Sequence, residues 1–115
     1  MAHVQILHLE DMDSFRAAIA AHGRVVIDAF ADWCAPCKAV APFYQSLADS
    51  YAGRITFFKL NAGEQREAIA TLADFLGVSS LPTFLFVRDG NIVAADTVVG
   101  ADRARLEAGV RRLAS

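Results

Sequence analysis

Apolar side chains recur along the chain with two different periods, and each change of period marks an element boundary. Residues 3–9 alternate well enough for a strand. Asp11 then stands four residues before Phe15, where an N-cap belongs, and the helix it opens runs to about His22. Gly23 suits a left-handed helix end, and Val25, Val26, Ile27, Asp28, Ala29 and Phe30 follow as a strand apolar on both faces, the mark of a central parallel strand. Val40, Phe43, Tyr44, Leu47 and Tyr51 return at three- and four-residue spacing, which predicts a long helix reaching Gly53 and kinked at Pro42. Residues 55–60 read as another strand, and Ile69, Leu72, Ala73 and Leu76 as a helix ending at Gly77. Residues 83–87 and 92–99 read as antiparallel strands joined through Asp89-Gly90, and Asp102 caps a last helix whose inward stripe is Leu106, Val110 and Leu113.

This order, βαβαβα followed by ββα, predicts an α/β fold with a central mixed five-stranded sheet flanked by four helices. No linker or repeat divides the 115 residues, so residues 1–115 are expected to form a single domain. A composition of 55% hydrophobic and 21% charged residues excludes a disordered tail, a collagen-like repeat and a coiled coil. The net charge of -2, with Lys and Arg scattered, gives no footprint for nucleic acid or an anionic membrane, and neither is expected as a partner. Asp28 and Asp32 interrupt the longest apolar stretch, so no membrane span is expected either. The first five residues lack the parts of a secretory signal, which makes the cytoplasm the expected location. His3, His8 and His22 stand apart from any carboxylate cluster and read as structural or solvated, with no metal site.

The two cysteines change the picture. Trp33-Cys34-Ala35-Pro36-Cys37-Lys38 follows the central strand and opens the longest helix, which puts Cys34 among unpaired backbone N–H groups that favour a thiolate. Cys34 is the candidate nucleophile, and Cys37, one turn later and facing inward, the candidate resolving thiol. Pro36 fits the first helical turn and preorganises the loop. A structural disulfide, half of a zinc site and two inert thiols compete with this reading. A loop so short removes little entropy from the unfolded chain, and zinc would need two further ligands, so the redox reading is preferred. Asp28 is the other anomaly, because an unpaired carboxylate is costly in an apolar strand and its pKa should rise there.

These residues resemble the thioredoxin family over nearly the whole chain. Beyond the cysteine motif and Asp28, the matches are Pro42, Lys59, Leu81-Pro82-Thr83, Asp89-Gly90 and Val99-Gly100. The resemblance implies a thioredoxin fold and a dithiol-disulfide oxidoreductase that reduces disulfides of partner proteins through Cys34 and Cys37. It implies a cis bond before Pro82 that presents the backbone of Leu81 to an extended substrate segment. It also implies an apolar docking rim of Trp33, Ala35, Pro36, Leu81, Pro82, Val99 and Gly100, a proton-exchanging carboxyl at Asp28, and Lys59 as its charged neighbour. No bound cofactor is implied beyond the redox-active cysteine pair. Reducing equivalents would come from NADPH through a flavin-containing thioredoxin reductase, and the chain would act as a monomer. An oxidase or isomerase of secreted proteins is the alternative enzyme, and a binding module with incidental thiols the alternative of another class. Three departures stand out. Ala35 occupies a position usually Gly, Gly63 one commonly acidic, and the segment from Gly63 to Leu76 is longer than is usual in the family.

Overall fold

The computed structural model describes residues 3–115. Its elements run β1 (Leu7–His8), α1 (Met12–Ala21), β2 (Arg24–Phe30), α2 (Ala35–Ser50), β3 (Thr56–Asn61), α3 (Glu67–Phe75), β4 (Thr83–Arg88), β5 (Asn91–Ile92), β6 (Val98–Val99) and α4 (Arg103–Ala114). The sheet has the order β1-β3-β2-β4-β5, with β6 also on β4. β1, β3 and β2 are parallel, while β4 runs antiparallel to β2 and to both short strands after it. A mixed sheet with four helices is therefore what forms, as the element order predicts.

The local signals explain most boundaries. Asp11 Oδ1 accepts the Ser14 N–H at 2.7 Å while Ser14 Oγ accepts the Asp11 N–H at 3.1 Å, a reciprocal cap for α1. Asp102 Oδ1 accepts from the Arg105 N–H at 3.0 Å and caps α4. Asp89 and Gly90 have φ of 50° and 81°, the double positive that a two-residue hairpin turn requires. α2 stays one helix through Pro42, although proline offers the Lys38 carbonyl no N–H.

Three expectations are corrected. The first strand is only Leu7–His8 rather than residues 3–9, because α2 captures the segment before it: Val4 N–H donates to Asp49 Oδ1 and Gln45 Nε2 donates to the Val4 carbonyl, both at 2.8 Å. The last strand, expected over residues 92–99, is broken into β5 and β6 by a 3-10 turn at Ala94–Asp96, residues with little β preference. Gly23 is not in the left-handed region; α1 ends on the extended His22, and the Gly23 carbonyl instead accepts the Asp89 N–H at 2.8 Å.

Both faces of β2 are buried, and this divides the interior into two cores. Val26, Phe57, Phe84 and Phe86 pack against Tyr44 and Leu47 of α2 and Leu106 and Val110 of α4. Val25, Ile27, Phe58 and Leu85 pack against Phe15 of α1 and Ile69 and Leu72 of α3. Each large side chain so buried contributes about 1.5–3 kcal/mol. Tyr44 keeps its polar end satisfied inside the first core by donating to the Phe58 carbonyl at 2.7 Å, with the Val26 carbonyl at 3.2 Å. Gly109 lets α4 approach the sheet, since a β-carbon there would lie 2.5 Å from Phe86 Cζ.

Candidate active site

β2 delivers the chain to the edge of both cores, and four residues separate its end at Phe30 from the start of α2 at Ala35. Between them Cys34 N–H donates to the Ala31 carbonyl at 3.2 Å, which turns Cys34 into the N-cap of α2. Its sulfur accepts the Cys37 N–H at 3.3 Å, so a first-turn donor of α2 addresses that sulfur. Ala35 and Pro36 fill the first two helical positions, where the missing N–H of proline costs nothing. Cys34 and Cys37 are joined as a disulfide, with α-carbons 5.3 Å apart, inside the ordinary range for such a bridge. The two residues are 6% and 4% exposed, so in the disulfide state position on the helix separates them and access does not. Together with Ala31, Phe30 and Leu81 they form a small third apolar cluster outside the two main cores.

Of the expected rim, Leu81 packs directly on this cluster. The Leu81-Pro82 bond is cis, and the Pro82 carbonyl accepts the Gly100 N–H at 2.7 Å, while Val99 pairs with Thr83. Leu81, Pro82, Val99 and Gly100 are thereby one unit, with Leu81 against the cysteines and the Val99 side chain exposed. Trp33, Ala35 and Pro36 are exposed on the helix side of the pair. Pro42 is not part of this group; it lies on the outer surface of α2.

Asp28 sits in the middle of β2, 2% exposed, between Lys59 of β3 and Phe84 of β4 in register. Its Oδ1 has no hydrogen-bond partner among the described residues. Burial pushes its pKa from 3.8 up to about 7, and the Lys59 charge pulls the other way. Lys59 makes no ion pair with it among the described residues; its Nζ lies 5.8 Å from the centre of the Phe30 ring. Asp28, Lys59 and Cys37 nevertheless line one cavity of about 120 Å³, together with Asp32, Lys38 and Ala41. That volume is large enough to hold water. Larger open depressions, about 520 Å³ between α1 and α3 and about 500 Å³ beside Gly23 and Gly90, lie away from the cysteines.

Asp32 and Lys38 bring charge to the cavity, and the sequence offers no signal that separates them from solvated residues flanking a motif. The histidines lie elsewhere: His3 Nδ1 is 2.7 Å from Asp49 Oδ2, His8 packs edge-on to Phe30, and His22 packs against Phe58. The site thus supplies a dithiol that closes without a long-range movement of the chain. Beside it lies a carboxyl that changes protonation near neutrality.

Comparison with known proteins agrees with this geometry. The thioredoxin family model matches residues 5–112. A thioredoxin H-type protein of Chlamydomonas reinhardtii is 38% identical over 94 residues, 82% of this chain and 78% of that protein. The crystal structure of Malassezia sympodialis thioredoxin superposes with a TM-score of 0.86 at 31% identity, covering 100% of this chain and 96% of that one. Thioredoxin f from spinach chloroplast gives 0.85 at 32% identity, covering 100% and 98%. Thioredoxins in general need no bound cofactor. This chain belongs to the thioredoxin family and is a protein dithiol-disulfide oxidoreductase that reduces disulfides by exchange through its Cys34–Cys37 pair.

Proposed function

We propose the following division of labour among the site residues. In the reduced protein the Cys34 thiolate attacks one sulfur of a disulfide in a partner protein; that bond breaks, one substrate sulfur leaves as a thiolate, and a Cys34-substrate mixed disulfide forms. Cys37 gives its proton to the Asp28 carboxylate across the shared cavity. The Cys37 thiolate then attacks Cys34 Sγ and expels the second substrate thiolate, leaving a reduced substrate and the Cys34–Cys37 disulfide. Two electrons reach the substrate, and two are lost by the pair. The N-cap placement of Cys34 carries this assignment, because α2 stabilises negative charge at that sulfur in particular.

Trp33, Ala35, Pro36, Val99 and Gly100 form the docking rim, and Leu81 offers its backbone to an extended substrate segment. The support for Leu81 is that neither its N–H nor its carbonyl is engaged by another backbone group among the described residues. Electrons return from NADPH through a flavin-containing thioredoxin reductase. The chain works as one domain and a monomer, in the cytoplasm. NADPH-coupled reduction of insulin, with a thioredoxin reductase present, tests this. NADPH consumption that requires Cys34 is expected. Absence of insulin reduction even with dithiothreitol as electron donor overturns the reading, whereas activity with dithiothreitol alone overturns only the choice of reductase.

A further inference from the structure

Trp33 is the sole tryptophan of the chain, and it stands 75% exposed immediately before Cys34. The loop after β3 lies against the edge of this ring. Ala62 N–H donates to the Phe30 carbonyl at 2.8 Å and fastens this loop to the end of β2. Asn61 works as a buckle: its Nδ2 donates to Asp32 Oδ2 at 3.4 Å, and its Oδ1 accepts the Gly63 N–H at 3.2 Å. The α-carbon of Gly63 is thereby drawn over Ala31 and the edge of the indole. A β-carbon at Gly63 would lie 2.6 Å from Ala31 Cβ, 3.3 Å from Ala31 Cα and 3.0 Å from Trp33 Nε1. Carbon atoms pack at about 3.5–4.0 Å, so no side chain enters this space without moving Ala31 or Trp33. Gly63 is absent from the glycines with positive φ, so what requires glycine here is room and not backbone conformation.

We propose that Gly63 is a positioning residue for protein substrates: its bare α-carbon lets the Asn61 loop close against Ala31 and seat the Trp33 indole where a docking partner meets it. A seated aromatic ring has already lost the side-chain freedom that binding would otherwise remove, so its apolar surface counts toward affinity. Among the described residues the indole N–H has no acceptor, which leaves it available to the partner. This inference rests on the reading of Cys34–Cys37 as a reductase of protein disulfides. It assigns Gly63 and Asn61 to recognition and not to the thiol chemistry.

The test uses the full chain as parent, Gly63→Ala, Asn61→Ala, and Gly63→Ala combined with Ala31→Gly, which removes the nearest clashing carbon. Trp33 fluorescence and its quenching by acrylamide report the indole alone, since no other tryptophan contributes. Insulin reduction reports docking, and reduction of hydroxyethyl disulfide reports thiol reactivity. Both single variants should shift Trp33 emission and raise KM for insulin about five- to tenfold, with kcat and the hydroxyethyl disulfide rate unchanged. The double variant should move back toward the parent. Parent-like emission and KM in both single variants would overturn the proposal, as would equal losses on the protein and the small disulfide. If the parent itself fails to reduce insulin, the functional reading falls, and the fluorescence of the same variants still decides whether Gly63 seats Trp33.

Discussion

Asp28→Asn should make the oxidised protein more stable in alkali, no more stable in acid, and slow in turnover. Asp28 is the only buried carboxylate among the described residues, and its pKa is raised from 3.8 to about 7 by burial, with Lys59 pulling the other way. The folded state therefore holds a proton that the unfolded chain has already released. Between these two values the unfolding free energy falls as pH rises, by up to about 1.4 kcal/mol per pH unit, and above the folded pKa the full cost of roughly 4 kcal/mol applies. Asparagine has no charge to bury, but its amide meets the surroundings in which Asp28 Oδ1 already lacks a partner, at a cost of about 1–2 kcal/mol. The variant should thus exceed the parent by roughly 2–3 kcal/mol near pH 8.5 and match or fall below it near pH 5. Urea unfolding of both oxidised proteins at several pH values measures this, and with the disulfide intact neither thiol titrates. In single-turnover experiments, decay of the mixed disulfide near neutrality should slow by about 10²-fold while its formation does not. A stability difference that is the same at every pH, or an unchanged decay rate, would show that Asp28 is a structural residue only.

Cys34→Ser should abolish disulfide reduction, whereas Cys37→Ser should accumulate a mixed disulfide with substrate; equal trapping by the two, read by mass spectrometry, would contradict their assigned roles. Arg88→Ala should destabilise the protein by about 1–2 kcal/mol in urea unfolding, because its guanidinium donates to the Arg112 and Leu113 carbonyls at 2.8 and 3.1 Å and faces the negative end of α4. A loss under about 0.5 kcal/mol would remove that account. Val99→Asp places a charge on the exposed rim and should raise KM for a protein disulfide several-fold with stability within about 0.5 kcal/mol; an unchanged KM would take Val99 out of the docking surface.

The parts of the fold readable from sequence are those where local chemistry and tertiary packing agree. Asp11 caps α1 in the structure because its carboxylate is one turn from the donors it needs, and Val25 to Ala29 are buried because no face of β2 meets solvent. Reading fails where a distant side chain decides. Nothing near Val4 announces that Asp49 and Gln45, a helix away, will take its backbone from the sheet. Residues 92–99 read as one continuous strand, yet the chain turns at Ala94–Asp96, and only the weak β preference of those residues hinted at it. In the site, Cys34, Cys37 and Asp28 were visible because they break the rules of their surroundings. Gly63 was visible only as a departure, since its distance to Ala31 belongs to loop geometry, and Asn61, Asp32 and Lys38 look like any polar residue beside a motif.

The location of the site separates what stabilises the fold from what reacts, with Asp28 as the exception. The two large cores lie on either face of the sheet, and the cysteines form their own small cluster beyond the end of its central strand, so rim residues can change at little cost to folding. Asp28 belongs to β2 and to the cavity at once, and its raised pKa bears on the proton transfer proposed for it. An ordinary thiol loses its proton at about 8.5 and an ordinary aspartic acid at about 3.9, a mismatch that makes transfer from thiol to carboxylate uphill by roughly 6 kcal/mol. A carboxyl raised to about 7 narrows that gap. Transfer from an ordinary thiol is then uphill by only about 2 kcal/mol, while about half of the carboxyl remains ionised at neutral pH. Under the proposed role of Asp28, the ionised form that strains the fold is the form that would accept the proton. The stability that Asp28→Asn should recover and the rate it should lose therefore have one origin, the burial of a single charge.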